Sequence, residues 1–474
     1  MTVMTSLRSL RSGNKTGRRI VAALALAGAL AGSVLPTSGG TLPLDRSPED
    51  FRQVINRAKE TVFPSVVYLR CVVENFEMGR RLRHSVSGSG VVISADGLVV
   101  TNWHVVDRAL EVRCLLNDGR AFDAKVIGSD KDTDVALVRL QLAEGETVPV
   151  AEFADGPAVQ EGDFVMALGA PWGMNRSVSF GIVACAKRYL PDASEYSAWI
   201  QTDASISPGN SGGPLVDTQG KVVGINTRGG MQGGDMGFAV PADIVRLVVE
   251  RLRQAGDAGW AWTGLQLQPL RDFQRNITFA GDRGVVVAGA DANSPATEAG
   301  FRPRDRIISV GGEPLTALME EDLPEVRRQL ALLAVGEEVA VVVSRDGVEQ
   351  TLKLTPRAKG SVLGEELACP RWDFTVKEVN AFEVPDLHFQ LPEGLYVRGV
   401  RSPGNASGSG LLPRDLLVRI NGLPVTGLDQ VRELHAQSLA RLQEGGARKL
   451  VLTVLRNGAQ RQIVVDISRD YANP

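Results

Sequence analysis

Cysteine and histidine are both scarce in this chain, with four residues of each type among 474. Cys71, Cys114, Cys185 and Cys369 have no CxxC spacing and no histidine at a metal-ligand interval, so we predict no metal site. Cys71 and Cys114 both lie in strand-like segments and could pair in an oxidising compartment. Free buried thiols are the alternative, because the sequence does not contain the geometry that a disulfide requires.

A surplus of positive charge is also missing, since the formal net charge is −3 at pH 7. Phosphate recognition normally requires a basic face or a high isoelectric point, so this balance argues against a nucleic-acid-binding protein. A phosphate-binding loop is missing too, because Gly88-Ser89-Gly90 lacks the lysine and the spacing of that motif. Peptides or proteins are therefore the expected partners.

Aromatic residues make up only 5% of the chain, whereas 43% of the residues are apolar, 23% are charged and 51 are glycine. This composition is typical of a folded, soluble protein with many turns and short strands. Because domains usually contain roughly 100 to 200 residues, the length predicts about three of them.

The N-terminus has no acidic residue before Asp45 but has several basic ones, followed by an apolar run at residues 20–35. This pattern predicts an export signal cut after Ala31, and Arg18-Arg19 could mark twin-arginine export. An uncleaved membrane anchor is the alternative, although the run is shorter than the roughly 20 residues that a spanning helix needs. We expect an exported protein of the periplasm or cell envelope, tethered to the membrane if the signal is not cleaved.

Short β-rich runs separated by Gly, Asp and Asn turns fill residues 64–240 and predict an all-β barrel or sandwich. Helical periodicity flanks them at residues 49–61 and 241–254. Farther on, residues 301–312 resemble residues 411–422, which indicates a duplication. Each copy ends in a predicted hairpin, turned by Asp346-Gly347 or by Asn457-Gly458. We assign the domains as follows: 1–31 signal peptide, 32–58 linker and N-terminal helix, 59–255 β-rich domain, 256–358 first repeat and 361–470 second repeat.

Residues 209–215, GNSGGPL, have the composition of a nucleophile loop. A serine hydroxyl is a weak nucleophile that needs a base, an exposed sharp turn and N–H groups directed at the developing oxyanion. The glycines permit such a turn. We predict Ser211 as the nucleophile and the N–H groups of Gly209, Asn210 and Ser211 as the oxyanion hole.

Only one of the histidines, His104, follows an apolar strand, so that its imidazole could project into a cleft. We predict that it removes the proton from Ser211. The carboxylate that orients it must be buried beside its other ring nitrogen. Asp134 is the first choice because it opens an apolar strand that carries its side chain inward, and Asp132 in the preceding polar turn is the competing candidate.

Three motifs occur in order: TNWHVV at residues 101–106, DTDVAL at 132–137 and QTDASISPGNSGGPL at 201–215. They resemble those of the HtrA (Deg) serine proteases, and the resemblance covers almost the whole chain after the signal. It implies a mainly β fold: a chymotrypsin-like double β-barrel with the triad in the cleft, followed by two PDZ-like α+β domains. It also implies a homotrimer, in which residues 51–63 could supply aromatic contacts at the threefold axis.

The residues near Ser211 predict which side chain is accepted before the cleaved bond. Cleavage after Lys or Arg needs an acid six residues ahead of the nucleophile, where this chain has Ser205. Ile206 beside it predicts a modest apolar pocket, in line with the aliphatic preference of the family it resembles. Thr227 and Arg228 are assigned to the same pocket, although Arg228 stands where a small or apolar residue is expected.

The first repeat resembles a PDZ domain in which an extended peptide adds as a strand and a backbone nest receives its terminal carboxylate. We assign this site to Thr263, Gly264, Leu265 and Leu267, with an ordinary core strand as the alternative. The second repeat has Asp373 where the first has Gly264. Because an aspartate restricts the backbone and adds a like charge, we expect weak binding or none there.

These predictions describe an exported serine endopeptidase that degrades unfolded or damaged proteins through an acyl-enzyme and is regulated by PDZ domains. Such chemistry needs no cofactor. A chaperone or scaffold that holds misfolded chains, with proteolysis secondary, is compatible with the same sequence. A pure peptide receptor is a third possibility, against which the complete triad argues.

Overall fold

The computed structural model describes residues 51–155, 159–170, 177–191, 193, 195–229, 236–271 and 282–471. The predicted export signal, residues 1–31, lies outside these ranges. None of the helices in these ranges combines the length and the apolar character that crossing a membrane requires.

The first barrel contains β1 Val66–Glu77, β2 Arg80–Val92, β3 Leu98–Thr101, β4 Ala109–Leu115, β5 Ala121–Asp130 and β6 Val135–Leu140. These strands close in the order β1-β2-β3-β6-β5-β4. The helix α1, Phe51–Val62, and a 3₁₀ turn, Phe63–Ser65, precede the barrel, and the short helix α2, Trp103–Val106, follows β3.

The second barrel contains β7 Phe164–Gly169, β8 Ser177–Arg188, β9 Trp199–Thr202, β10 Pro214–Val216, β11 Val222–Gly229 and β12 Gly237–Pro241. It closes in the order β10-β11-β12-β9-β8-β7, and the helix α3, Ala242–Ala255, follows it. The expected double barrel is therefore confirmed.

Strand β6 is buried on both of its faces. Ala136 and Val138 face the core of the first barrel. Val135 and Leu137 belong to a second core that includes residues of α3. A strand buried on both faces reads as a continuous apolar run, which explains why the sequence VALVRL does not alternate.

Helix α1 packs on its own chain. Ala58 and Val62 are fully buried in the core that also contains α3 residues, and Phe63 packs against that core. Phe63 is only partly buried by this contact, and the contact at a threefold axis that we expected of residues 51–63 stays a prediction.

All four cysteines are free thiols in the structure. Cys71 and Cys114 are buried in the core of the first barrel, on the paired strands β1 and β4. Burial raises the pKa of Cys71 to about 12 and also raises that of Cys114. A thiol of such high pKa stays protonated and is a poor nucleophile, so the chain has the free buried thiols of the second alternative.

The first repeat begins with β13 Ala261–Trp262, which pairs with β20 Arg357–Ala358. Its main sheet contains β14 Leu265–Gln268, β15 Val285–Ala290, β16 Arg306–Val310, β17 Glu313–Pro314, β18 Val339–Arg345 and β19 Val348–Leu354. The strand order is β14-β15-β16-β18-β19, with β17 on β16. Its helices are α4 Pro295–Glu298 and α5 Leu323–Ala331, the latter preceded by a 3₁₀ turn, Glu320–Asp322.

The second repeat contains β21 Glu366–Cys369, β22 Phe374–Glu378, β23 Leu395–Val400, β24 Leu416–Ile420, β25 Leu423–Pro424, β26 Lys449–Arg456 and β27 Ala459–Asp466. The order is β21-β22-β23-β24-β26-β27, with β25 on β24. Its helices are α6 Pro385–Gln390, α7 Asn405–Gly408 and α8 Leu428–Gln443. Strands β22 to β27 thus repeat the order of β14 to β19, and β21 is additional.

A buried ion pair marks the same place in both repeats. Asp305 is 1% exposed and accepts two hydrogen bonds of 2.7 Å from Arg345. Asp415 is equally buried and accepts two from Arg456, at 2.5 and 2.6 Å. Because a buried carboxylate requires a partner, the repeated pair supports the duplication inferred from sequence.

Lys359, between the two repeats, attaches the linker to the barrels. Its ammonium group is 4% exposed and lies 2.8 Å from Asp132, 2.6 Å from Glu195 and 2.9 Å from the Tyr196 hydroxyl. Burial alone would lower the pKa of Lys359, but the attraction of Glu195 and Asp132 holds it above its ordinary value. The lysine is therefore charged and fully paired.

We predict that Lys359→Met lowers the free energy of unfolding by about 2 kcal/mol, because it leaves the carboxylate of Asp132 partly buried without its cation. The matched control is Lys353→Met, which removes an ion pair with Glu338 in which both side chains are more than half exposed. The Lys353→Met variant should change the midpoint of urea unfolding little. Urea unfolding of the two variants measures the difference, and equal midpoints would contradict the prediction.

Candidate active site

His104 and Asp134 approach each other because the strands next to them are paired. Thr101, the last residue of β3, lies opposite Ala136 on β6. His104 follows β3 on α2, and Asp134 immediately precedes β6. The antiparallel register therefore places both side chains at the same end of the first barrel.

Asp134 is 1% exposed and holds the histidine by its ring and its backbone. Nδ1 of His104 lies 2.9 Å from each carboxylate oxygen, and the backbone N–H of His104 donates to Oδ1 at 3.1 Å. Asp134 has φ of 58°, which is uncommon for a residue with a side chain. Hydrogen bonds to its carbonyl from Asn102 Nδ2 and the Trp103 N–H, at 3.0 and 3.2 Å, stabilise this conformation.

Thr227 connects this pair to Ser211. Its buried hydroxyl donates to Oδ2 of Asp134, and its carbonyl accepts a hydrogen bond of 2.7 Å from Oγ of Ser211. From the sequence we assigned Thr227 only to the pocket wall, and its contact with the carboxylate was not expected. The contact depends on how β11 packs against the first barrel, and no local sequence pattern indicates that packing.

The loop that carries Ser211 is held from both sides by backbone hydrogen bonds. The Ser211 carbonyl accepts from Ser89 N–H at 2.8 Å, and Gly212 N–H donates to Asn226 at 2.8 Å. Gly212 has φ of 84°, and a Cβ there would lie 2.1 Å from the Ser89 carbonyl oxygen. A glycine is thus required at this turn by both conformation and space.

Ser211 and His104 line the same cavity, which has a volume of about 480 Å³. The hydroxyl of Ser211 donates to Thr227 and is not hydrogen-bonded to the imidazole in the described structure. Rotation of the serine about its Cα–Cβ bond is therefore needed before the histidine can receive its proton. Catalytic hydrogen bonds are often formed only with substrate bound, so this geometry is compatible with a resting site.

One of the three N–H groups predicted for the oxyanion hole, that of Asn210, has another partner. The N–H of Asn210 donates to the Ser207 carbonyl at 2.9 Å and is not directed at the cavity. Within the described ranges, the N–H groups of Gly209 and Ser211 have no hydrogen-bond acceptor. Gly209 lies in this turn with φ of 104°. Two of the three predicted donors are thus available to an oxyanion.

Ile206 fills the pocket beside Ser211. A Cβ on Gly237 would lie 2.8 Å from the side chain of Ile206, and one on Gly229 would lie 2.7 Å from its carbonyl oxygen. The isoleucine therefore occupies the space that these glycines leave and makes the pocket shallow and apolar. Ser205 differs from our expectation, because it is exposed and is not among the residues that line the cavity.

The other two aspartates of the loop before β6 have different partners. Asp132, the competing candidate, pairs with Lys359. Asp130 accepts hydrogen bonds from Thr133 and from the indole N–H of Trp260, the latter at 3.0 Å. Burial, together with the charge of Asp132, raises the pKa of Asp130 to about 6. Neither contacts His104. Nor do three His, Cys, Asp or Glu side chains meet anywhere in the described part of the chain in a way that could hold a metal ion.

The groove of the first repeat contains a cavity that is also bordered by Tyr189 and Tyr196, from the loop between β8 and β9, and by Phe382 of the second repeat. This cavity of about 450 Å³ lies between β14 and α5, and the predicted residues Thr263, Gly264, Leu265 and Leu267 line it. Gly264 has φ of 74°, as a backbone nest requires. The outer edge of β14 has no strand paired with it in the described structure, so a peptide could add there.

The corresponding groove of the second repeat is filled by its own chain. Strand β21 pairs along β22, with Cys369 opposite Phe374, and it contacts α8. The turn that follows places the indole of Trp372 against the same helix, where Nε1 donates to Ser438 at 2.9 Å. No edge of β22 is left for an external peptide, since β23 occupies the other side.

Asp373 does lie where Gly264 lies in the first copy. Both have positive φ, 64° and 74°, and each carbonyl accepts an N–H from the loop after the next strand. Our reason for weak binding was wrong in one respect, because the aspartate adopts the glycine-like conformation. Its carboxylate accepts hydrogen bonds from Asn405 N–H, at 2.9 Å, and Arg401, at 3.3 Å. The occupied groove is the stronger obstacle to a peptide.

Two family models match the chain: a trypsin-like peptidase domain over residues 88–225 and a PDZ domain over residues 263–355. A probable periplasmic serine endoprotease, DegP-like, of Pseudomonas savastanoi pv. phaseolicola is 34% identical over 406 residues, which is 82% of this chain and 81% of that protein. The protein of the same description in Ectopseudomonas mendocina is 35% identical over 396 residues, or 80% and 79%.

Solved structures of an HtrA-type protease, AlgW, are similar as well. The complex with a tripeptide has a TM-score of 0.57 and 30% identity, and it covers 65% of this chain and 97% of that one. The complex with a decapeptide has a TM-score of 0.55 and 28% identity, with 65% and 99% covered.

We predict that the full-length chain recognises the free apolar C-terminus of one peptide, because among the described residues the groove beside β14 is the one PDZ-like groove without a strand of its own chain in it. Calorimetric titration of the Ser211→Ala variant, which cannot consume the peptide, measures the stoichiometry. Gly264→Asp should abolish binding, since a Cβ there would lie 2.2 Å from the Cβ of Ser294.

The reciprocal variant, Asp373→Gly, should not create a second site while β21 fills that groove. A peptide with an amidated C-terminus is the control for carboxylate recognition. Two equivalents bound per chain, or full binding by Gly264→Asp, would contradict the assignment.

Proposed function

Because this chain belongs to the HtrA (Deg) family of trypsin-like serine endoproteases, we propose that Ser211, His104 and Asp134 form its catalytic triad. The observation that carries this proposal is the continuous set of hydrogen bonds from His104 through Asp134 and Thr227 to Ser211. It joins a candidate base, a buried carboxylate and a candidate nucleophile in one cleft.

In the proposed reaction, the Ser211 hydroxyl turns from the Thr227 carbonyl towards His104. Its oxygen attacks the scissile carbonyl carbon while Nε2 of His104 takes the hydroxyl proton. The imidazolium, stabilised by Asp134, then protonates the leaving amine as the C–N bond breaks. Water, deprotonated by the same nitrogen, attacks the acyl-enzyme and releases the new carboxyl terminus and the serine.

The negative charge on the tetrahedral oxygen needs donors that are in place before the reaction. We assign this role to the N–H groups of Gly209 and Ser211, which have no acceptor among the described residues. Asn210 acts indirectly, because its own N–H holds the turn through Ser207.

We propose unfolded or damaged exported proteins as substrates, with the periplasm as the compartment. The cavity beside β14 supports delivery or regulation by apolar C-termini, and the names of the relatives support the compartment. A chaperone function that binds such chains without cutting them is the alternative, which the activity measurements below distinguish.

A homotrimer remains our proposal for the assembly. An exposed apolar patch on the second barrel supports a subunit contact. It contains Phe164 and Phe180, whose rings lie 5.4 Å apart, and Ile182. Static light scattering of the purified chain measures the stoichiometry directly.

We predict that Ser211→Ala abolishes cleavage of unfolded casein, with a loss on the order of a millionfold for a triad that acts as a unit. The fold should be unaffected, because the loop is held by backbone hydrogen bonds that alanine retains. Asp134→Asn should reduce turnover by about 10⁴-fold, since the imidazole then loses the acceptor that sets its tautomer.

Asp132→Asn is the matched control and should reduce turnover far less, because Asp132 contacts Lys359 and not His104. Casein cleavage that persists in Ser211→Ala would sink the triad assignment. Equal losses of turnover in Asp134→Asn and Asp132→Asn would show that Asp134 does not orient the histidine.

We predict that the residue before the cut is Val, Ala, Ile or Leu, because Ile206 makes the pocket shallow and none of the described residues that line it is acidic. Mass spectrometry of casein fragments identifies the cut sites. A majority of cuts after Lys or Arg would refute this view of the pocket. Ile206→Gly should broaden the preference towards larger side chains.

A further inference from the structure

Arg228 lies on the rim of the cavity that contains Ser211 and His104, one residue beyond Thr227 on β11. Its side chain is exposed, and its guanidinium carbon lies 5.2 Å from the centre of the Trp199 ring. Trp199 is 1% exposed and has the Phe238 ring 6.3 Å away. The arginine is therefore supported by a rigid aromatic surface at the edge of the cleft.

The cation–π contact with the indole leaves the guanidinium N–H groups of Arg228 without a hydrogen-bond acceptor among the described residues. These donors lie in one plane and match the two oxygens of a carboxylate. An arginine held against a buried ring can thus offer these donors to a ligand with little further loss of side-chain freedom.

The described residues of the cavity supply no partner for this charge. Of the described residues that line it, only His104 and Arg228 have side chains that can be charged, and both charges are positive. None of the ion pairs in the described ranges includes Arg228. Arg246 differs, because it lies over Phe153 but also pairs with Asp155.

The strand position indicates which part of a substrate meets Arg228. Strand β10 pairs with β11 only up to Ile225, so Thr227–Gly229 has β12 on one edge and the cavity on the other. A substrate in extended form can add along that free edge. Because this segment also borders the Ile206 pocket, the substrate residues beside it are those that precede the cut.

We propose that Arg228 is a specificity-determining residue that selects an acidic side chain two to four positions before the cleaved bond. This inference rests on the proposed protease function. The preferred substrate is then a small aliphatic residue at the cut preceded, within a few residues, by Glu or Asp.

Quenched fluorescent peptides that differ only by Glu or Gln at one of these positions test the proposal. The full-length enzyme should cleave the best Glu peptide with a kcat/KM about three- to tenfold above that of its Gln twin, as expected for a partly solvated charge-assisted contact. The ratio should fall as salt is added, because the pair is only partly shielded from solvent.

In Arg228→Gln the Glu-to-Gln ratio should become about one, whatever the absolute rate. Arg228→Glu should invert it, so that a Lys peptide exceeds the Gln peptide. The matched control, Arg246→Gln, also removes one stacked arginine and one positive charge but should retain the ratio.

A wild-type ratio of one at all three positions overturns the proposal, as does a preference that persists in Arg228→Gln or disappears equally in Arg246→Gln. Failure of the protease function itself looks different: no peptide is cleaved, and the wild type equals Ser211→Ala.

Discussion

The hydrogen bond from Thr227 to Asp134 joins the two barrels, and the candidate site depends on it. Asp134 belongs to the first barrel, whereas Thr227 and Ser211 belong to the second. The same threonine offers its carbonyl to the serine hydroxyl. A relative shift of the barrels by about 1 Å would separate base and nucleophile, and misplacement of this size is enough to cost roughly a hundredfold in rate. The contact between the barrels is thus a condition for the chemistry.

The loop before β6 extends this dependence to the repeats. Asp130 binds the indole of Trp260 just before the first repeat, Asp132 binds Lys359 just before the second, and Asp134 binds His104. Three acids at alternate positions of one loop therefore hold two linkers and the candidate base. Since buried carboxylates need partners, both linker contacts help to stabilise this conformation of the loop.

The residues that chemistry requires were predictable from sequence, because they occur in local patterns. Ser211 lies in a glycine turn and His104 at the end of an apolar strand, and both hairpin dipeptides connect paired strands as expected. Contacts between distant segments were not predictable. The bond from Thr227 to Asp134 joins residues 93 positions apart, and the pairing of β21 with β22 has no counterpart in the described part of the first repeat from which it could be inferred. The role of Asn210 also required the fold, since its N–H is used within the turn.

The two repeats show how one duplicated loop came to differ. In the first copy, Gly264 faces Ser294, and a Cβ on the glycine would lie 2.2 Å from that of the serine. In the second, Asp373 faces Gly404, where a Cβ on the glycine would lie 2.9 Å from that of the aspartate. Each copy has space for one side chain only. Changing one position of the pair alone therefore either crowds the loop or leaves a gap in it. Converting one copy into the other requires both positions of the pair to change. Because the aspartate side chain also bonds the next helix while β21 fills the groove, the second copy is held closed by several independent contacts.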